Sequence, residues 1–256
     1  MEFETVQGAV IPKIGFGTWQ LQGNTCYRAV ISALQLGYRH LDTAEIYDNE
    51  AQVGRAIADS GVARSEIFLA TKVWTDHLGY SDVLRAAGGS LKRLGLDRID
   101  LYLVHWPRAA MPIAETMQAM NELVEGGQIA RLGVSNFSVK QFEAAQRASS
   151  VKLFTNQVPF AVSGIDRSML EYCQRNDVLL TAYSPLDRGR LARDQSLQSV
   201  GDRHGKTAAQ VALRWCIQQA NVVAIPKSES RGRQRENLEL FDFELSKADL
   251  AELGRL

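Results

Sequence analysis

Short apolar runs alternate with longer amphipathic stretches along most of the chain. The runs are rich in Val, Ile, Phe and Tyr, as buried strands are, whereas the longer stretches carry apolar residues at i, i+3 and i+4, as helices do. The runs lie at 14–19, 40–44, 67–74, 99–106, 130–137, 153–160, 179–186 and 222–228. The helical stretches between them lie at 25–36, 50–60, 81–94, 113–125, 139–148 and 167–176. The pattern predicts repeated strand–helix units.

Strands that are apolar on both faces and joined by helices must be parallel and covered by those helices. Eight such units in about 250 residues match the size of a (β/α)8 TIM barrel, an α/β fold. An open, doubly wound sheet is the alternative, but its usual G-x-G-x-x-G string is absent from the sequence. The sequence therefore favours the barrel.

The segments outside these units predict additions to the barrel. The stretch before the first run, 1–12, predicts a short N-terminal hairpin that closes one end. Extra helices are predicted near the C-terminus, at 196–204, 207–219, 230–240 and 246–256. Since no linker or low-complexity tract divides the chain, we expect residues 1–256 to form one domain.

The composition argues against several function classes. The 29 Lys and Arg residues balance 29 Asp and Glu residues, so no nucleic-acid partner is expected. Cys26, Cys173 and Cys216 lie far apart, without a CxxC pair, so we expect neither a disulfide framework nor a metal site. No stretch of 18 apolar residues occurs, so we expect no membrane partner and a reducing, cytoplasmic setting.

Polar residues stand at the predicted carboxyl ends of seven consecutive strands, where barrels of this type build their active sites. They are Asp42, Lys72, His105, Ser135 with Asn136, Gln157, Tyr183 and Lys227. Taken singly, each has a structural explanation, such as a helix cap. Their common position at one end of the barrel predicts a functional site.

Lys72 carries the strongest single signal, because it lies inside the apolar run 67–74, where an unpaired ammonium is costly to bury. Asp42 is its expected partner, and Tyr47 can reach the same place from the following loop. An adjacent ammonium favours ionisation of a phenol, which would make Tyr47 usable in proton transfer near neutral pH, with His105 as a second hydrogen-bond donor. The alternative is a Lys72–Asp42 pair whose only role is to fix the register of the two neighbouring strands.

Eight strings then carry a family resemblance. They are GFGTW at 15–19, GYRHLDTAEIY at 37–47, TKVW at 71–74, HWP at 105–107, GVSNF at 133–137, NQ at 156–157, YSPL at 183–186 and IPKS at 225–228. In this order and spacing they resemble the aldo-keto reductases, and most of all their bacterial 2,5-diketo-D-gluconate and methylglyoxal reductase branch. The branch's Asp-Thr-Ala-x-x-Tyr-x-Asn-Glu string lies at 42–50.

The resemblance implies an NADPH-dependent carbonyl reductase that requires no metal. We expect the protein to be a monomer and to act on small aldehydes, α-dicarbonyls or diketo sugar acids. It assigns catalysis to Asp42, Tyr47, Lys72 and His105, with Tyr47 as general acid. It assigns cofactor binding to Gly17, Thr18, Trp19, Ser135, Asn136, Gln157, Tyr183, Ser184, Leu186, Lys227, Ser228, Arg233, Glu236 and Asn237. Within that set, Lys227, Ser228 and Arg233 would hold the adenosine 2'-phosphate, whereas Arg231 and Arg235 are expected on a solvated helix face.

The substrate pocket is expected to be shallow and open, because the loops after the strands are short. Trp19, Trp74 and Trp106 would form its apolar walls, with core packing as the alternative for each. An acidic substrate would be held by Arg108, Arg188 or Arg190. Two departures from the family pattern affect this pocket. Residues 158–161 read Val-Pro-Phe-Ala where the family often has His-Pro, and the sequence ends at 256, so a C-terminal tail over the pocket is not expected.

Two other functions are compatible with the same residues. One is a reductase-like barrel that senses a nucleotide and regulates a partner. The other is an aldolase in which Lys72 forms a Schiff base, although a protonated Lys72 paired with Asp42 would be a poor nucleophile.

Overall fold

The computed structural model describes residues 1–108, 110–164 and 166–254. Its strands are β1 (Phe3–Val6), β2 (Ala9–Pro12), β3 (Phe16–Gly17), β4 (His40–Asp42), β5 (Phe68–Val73), β6 (Leu101–Val104), β7 (Leu132–Ser135), β8 (Thr155–Pro159), β9 (Leu179–Tyr183) and β10 (Val222–Ala224). Its α-helices are α1 (Gly23–Leu36), α2 (Glu50–Asp59), α3 (Tyr80–Leu94), α4 (Ile113–Glu125), α5 (Val139–Ala148), α6 (Arg167–Arg175), α7 (Gln195–His204), α8 (Ala208–Ile217), α9 (Arg231–Glu236) and α10 (Lys247–Leu253).

Strands β3 to β10 form a parallel sheet in which neighbours along the chain are also neighbours in the sheet. The two ends of this sheet meet, because Ile14 pairs with Ala224 in parallel orientation. The N–H of Gly15 donates to the carbonyl of Ala224 at 2.8 Å, and the N–H of Ala224 donates to that of Lys13 at 2.9 Å. These bonds close the sheet, and the predicted (β/α)8 barrel is confirmed.

The antiparallel pair β1–β2 is the predicted N-terminal hairpin. Its Val6 and Ile11 are buried in an apolar cluster with Leu103 and Phe154 of the barrel. A larger cluster fills the layer between the barrel and its helices. The hairpin therefore adds to the apolar core at one end of the barrel, which leaves the carboxyl ends of the strands open for a site.

Strand and helix ends differ from the predicted bounds mainly around the mouth. β9 ends at Tyr183 rather than at 186, because Ser184 adopts a left-handed backbone with φ of 49°. β10 ends at Ala224, two residues before Pro226, which has no N–H for a ladder bond. The predicted separation of the helices at 196–204 and 207–219 is confirmed, since Gly205 ends α7 with φ of 65°.

Helix α9 covers only Arg231–Glu236 of the predicted stretch 230–240, and α10 begins at Lys247, one residue after its Ser246 cap. The three cysteines are free thiols in the buried core. Among the described residues, the helices are too short and too polar to cross a membrane.

Candidate functional site

A buried ion pair lies at the centre of the barrel mouth. The Nζ of Lys72 donates to Oδ1 of Asp42 at 2.6 Å and to the carbonyl oxygen of Thr43 at 2.7 Å. Burial lowers the pKa of the Lys72 ammonium, but the charge and hydrogen bond of Asp42 and the nearby Tyr47 together more than offset this and keep the pKa above its ordinary value. Lys72 is therefore protonated at neutral pH, paired as the sequence suggested.

The second carboxylate oxygen of Asp42 is also bonded. The amide Nε2 of Gln157 donates to Oδ2 of Asp42 at 2.7 Å. The backbone carbonyl of Asp42 accepts from the N–H of Thr18 at 2.9 Å and from its hydroxyl at 3.0 Å. The ends of β4, β5 and β8 thus meet at one carboxylate, and the end of β3 is bonded to the backbone of the same residue, which fixes the position of Lys72.

Tyr47 lies above this pair, at the end of the 3-10 turn Glu45–Tyr47. The Nζ of Lys72 is 5.0 Å from the centre of the Tyr47 ring. Burial raises the pKa of the Tyr47 phenol, and the charge of Lys72 offsets this only in part. Sequence reasoning considered the lysine alone and expected easier ionisation, whereas burial penalises the phenolate more strongly. The phenol therefore keeps its proton at neutral pH.

His105 packs edge-on against two aromatic rings. Its ring centre is 5.5 Å from that of Tyr47 and 5.2 Å from that of Trp74. Burial and the positive charge of Lys72 lower the pKa of His105 to about 3, so the imidazole is neutral at physiological pH. Its buried Nδ1 has no hydrogen-bond partner among the described residues. The ring therefore retains hydrogen-bonding capacity that a bound ligand could use.

A chain of hydrogen bonds extends from Asp42 towards β7 and β9. The hydroxyl of Ser135 donates to the carbonyl of Gln157 at 2.8 Å. The amide of Asn136 donates to the hydroxyl of Ser135 at 3.0 Å and accepts from the hydroxyl of Tyr183 at 2.8 Å. Asn136 adopts a left-handed backbone with φ of 64°. These amides and hydroxyls, beside the half-buried ring of Tyr183, have the donor and acceptor chemistry that a nicotinamide carboxamide needs.

At Gly17, on the other side of the mouth, the backbone of the first barrel strand lies very close to that of residues 225–226. A Cβ at this position would lie 2.8 Å from the carbonyl oxygen of Ile225. The N–H of Gly17 donates to the carbonyl of Pro226 at 3.1 Å. The segment that follows β10 therefore lies directly against the first barrel strand, beside Thr18 and Trp19.

The predicted phosphate-binding residues lie together after β10. The hydroxyl of Ser228 accepts from the N–H of Ser230 at 3.2 Å, and Ser230 in turn caps the N–H of Arg233. Lys227 and Arg233 are exposed, with Lys227 only loosely paired to Glu229 at 3.5 Å. Two cationic side chains and a buried hydroxyl suit a phosphate ester.

Glu236 and Asn237, the last two predicted cofactor-binding residues, differ in their surroundings. The carboxylate of Glu236 accepts from the hydroxyl of Thr207 at 2.5 Å, so it is held at the start of α8. Asn237 is buried. Arg231 and Arg235 are exposed, as expected for a solvated helix face, and Arg231 donates to the hydroxyl of Ser32 at 3.2 Å.

The three predicted pocket tryptophans lie near the mouth but differ in exposure. Trp19 and Trp106 are 42% and 43% exposed, so neither is a core residue. Trp74 is half-buried against His105. The sequence did not predict the conformation of the loop after β8. In the structure this loop is fixed by Phe160, whose buried ring stacks on Trp215 with ring centres 5.3 Å apart.

Sequence reasoning missed Asn49, which connects several of these elements. Its amide nitrogen donates to the carbonyls of Thr18 and Leu21, each at 2.9 Å. Its amide oxygen accepts from the hydroxyl of Thr43 at 2.6 Å. Asn49 precedes α2 but its side chain does not cap that helix. The position of Asn49 in the string at 42–50 was the one signal in the sequence that could have indicated this role. An Asn before a helix is more often interpreted as the N-cap of that helix.

Comparisons with known proteins agree with this geometry. The sequence model described as "Aldo/keto reductase family" matches residues 13–256. The glyoxal reductase of Bacillus subtilis is 40% identical over 250 residues, which cover 97% of this chain and 90% of that protein. The structure of a putative 2,5-diketo-D-gluconic acid reductase B is 41% identical, with a TM-score of 0.97, over 100% of this chain and 91% of that one. The crystal structure of an ALDO/KETO reductase from Brucella melitensis is 39% identical, with a TM-score of 0.93, over 99% of this chain and 98% of that one.

Proposed function

The chain belongs to the aldo/keto reductase family, and from this premise we propose that it reduces small aldehydes, α-dicarbonyls or diketo sugar acids with NADPH. Aldo/keto reductases generally use a nicotinamide cofactor. The observation that carries the proposal is a protonated phenol, Tyr47, next to a neutral His105 and a buried Lys72–Asp42 pair. The named activities of the similar proteins above are consistent with small carbonyl substrates.

NADPH held beside Asn136 and Tyr183 would supply a hydride for the carbonyl carbon. Tyr47 donates its proton to the carbonyl oxygen, so the O–H bond of the phenol breaks as the O–H bond of the alcohol forms. Its raised pKa keeps that proton available until transfer. The phenolate that remains lies next to the Lys72 ammonium, whose charge stabilises it until the proton is replaced from solvent.

His105 orients the substrate rather than moving a proton. Because its pKa is lowered to about 3, the ring does not act as an acid at neutral pH but can donate one hydrogen bond from a ring N–H. Trp19, Trp74 and Trp106 supply apolar contacts around the carbonyl. Since Trp19 and Trp106 are 42% and 43% exposed, the pocket is open and its apolar walls discriminate little between small substrates of different shape.

A preference for NADPH over NADH is supported by the side chains after β10. Lys227 and Arg233 are exposed cations, and Ser228 presents a buried hydroxyl between them in sequence. Contacts of this kind to a 2'-phosphate are worth about 1.5 to 3 kcal/mol each, which corresponds to about ten- to a hundredfold in affinity.

A nucleotide-sensing barrel without catalysis is the alternative. Steady-state oxidation of NADPH, followed at 340 nm with methylglyoxal or 4-nitrobenzaldehyde, distinguishes the two. Turnover that depends on the carbonyl compound supports the reductase. Tight binding of NADPH without turnover of any small carbonyl compound contradicts it. An aldolase with a Lys72 Schiff base is disfavoured, because a lysine held protonated by Asp42 is not a nucleophile.

A further inference from the structure

Three arginines lie on the loops around the barrel mouth, and two of them are already paired. Arg108 donates to the carbonyl of Thr75 at 3.1 Å and to the carboxylate of Asp76 at 3.0 Å. Arg190 donates to the carboxylate of Asp187 at 2.6 Å. Arg188 has no carboxylate partner in the described part of the chain. It is therefore the arginine of the three whose charge remains available to a ligand.

The guanidinium of Arg188 contacts an aromatic ring from another loop of the mouth. Its guanidinium carbon lies 5.7 Å from the ring centre of Trp19, within the range of a cation–π contact. Arg188 follows β9, whereas Trp19 follows β3, and β10 lies between these two strands. The contact therefore bridges the loops on either side of β10, with the guanidinium next to an exposed pocket wall.

The backbone of this loop is strained at Arg188. Asp187 and Arg188 have φ of 45° and 52°, a left-handed conformation that is unfavourable for residues other than glycine. The turn is held by the N–H of Gly189, which donates to the carbonyl of Leu186 at 2.9 Å, and by the Arg190–Asp187 pair. Strain of this kind is concentrated at functional sites, and here it occurs at the residue whose guanidinium lies over the ring of Trp19.

The guanidinium of Arg188 also acts on the half-buried phenol of Tyr183, at the end of β9. Burial raises the pKa of this phenol, and the positive charge of Arg188 opposes the rise.

We propose that Arg188 binds the carboxylate of the substrate, so that the enzyme favours keto acids and aldehyde acids over neutral carbonyl compounds of equal length. The proposal rests on the proposed function and specifies its substrate class. A guanidinium can form two parallel hydrogen bonds with a carboxylate, which gives orientation as well as affinity. A cofactor pyrophosphate offers the same anionic chemistry, so the experiment must separate the two sources.

The test compares succinic semialdehyde with butanal, two four-carbon aldehydes of which only the first carries a carboxylate. We expect wild-type kcat/KM to be higher for the acid, and Arg188→Gln to lower the ratio of the two values by about three- to tenfold, mainly through KM. Arg188→Lys should retain part of the ratio. Arg193→Gln removes an equal charge from an exposed position five residues further along and should leave the ratio as in the wild type.

Fluorescence titration with NADPH separates the cofactor from the substrate. Arg188→Gln should bind NADPH as the wild type does. A loss of NADPH affinity with an unchanged substrate ratio would assign the guanidinium to the pyrophosphate and overturn the proposal, as would an unchanged ratio with unchanged affinity. Turnover of neither aldehyde by the wild type overturns the proposed function, and this proposal with it.

Discussion

The Lys72 ammonium lies 2.6 Å from a carboxylate oxygen of Asp42, and the two side chains are only 0% and 3% exposed. Burying an ion pair is costly unless the remaining hydrogen bonds are made. Here they are made by the Thr43 carbonyl and the Gln157 amide. This satisfied pair places a fixed positive charge beneath the ring of Tyr47, which is the arrangement on which the proposed chemistry depends.

Removing one partner of this pair should destabilise the fold strongly. Asp42→Asn leaves the Lys72 ammonium without its counter-charge, so the free energy of unfolding should fall by about 3 to 5 kcal/mol. Urea denaturation measures this change. Arg85→Met breaks the exposed Arg85–Asp82 pair, at 74% and 42% exposure, and should cost less than about 1 kcal/mol. Equal losses in the two variants would contradict a buried, fully paired Lys72.

Two arginines of α9 should differ in their effect on cofactor choice. Arg233→Ala should weaken NADPH binding by about tenfold or more and leave NADH binding nearly unchanged, because only NADPH carries a 2'-phosphate. Arg235→Ala is the matched control, since Arg235 is exposed on the same short helix and should affect neither cofactor. Equal effects of the two substitutions on NADPH affinity would argue against the assigned phosphate contact.

Acid should destabilise the protein through two buried histidines. Burial lowers the pKa of His40 to about 4 and that of His105 to about 3. Below pH 6.5 the unfolded chain takes up protons that the folded chain does not, so the stabilisation is complete above pH 6.5 and declines towards pH 4. Each histidine contributes a slope of about 1.4 kcal/mol per pH unit.

Urea unfolding at pH 7, 6 and 5 tests this prediction. His40→Asn keeps a polar side chain at the site but removes the titrating group, so its total decline from pH 7 to pH 5 should be about 2 kcal/mol smaller than that of the wild type. Parallel declines in the two proteins would show that His40 titrates normally in the folded state.

The sequence predicted the barrel and the meeting of Asp42, Lys72 and His105, because hydrophobic periodicity sets the strands and the barrel places their carboxyl ends together. The sequence could not predict the net effect of burial and nearby charge on the pKa of a single side chain. For Tyr47 the adjacent ammonium was visible in the sequence, whereas the depth of burial that raises its pKa depends on packing from several strands.

Features that arise from loop conformation were also beyond sequence reasoning. Asn136, Ser184 and Arg188 adopt left-handed backbones without being glycine, and each conformation depends on tertiary contacts. The Arg188–Trp19 contact joins residues 169 positions apart (188 − 19), and no local pattern signals it. The same holds for Asn49, whose amide nitrogen bonds Thr18 and Leu21 in the loop after β3.

The central claim is that Tyr47 donates the proton, and turnover of Tyr47→Phe tests it most directly. Tyr102→Phe is the matched control, because the Tyr102 hydroxyl is buried without a partner among the described residues and takes no part in the proposed reaction. With methylglyoxal at saturating NADPH, Tyr47→Phe should lower kcat by about 10² to 10⁴-fold and leave NADPH affinity nearly unchanged, whereas Tyr102→Phe should retain wild-type kcat. A Tyr47→Phe enzyme that keeps more than half of the wild-type kcat would contradict the account.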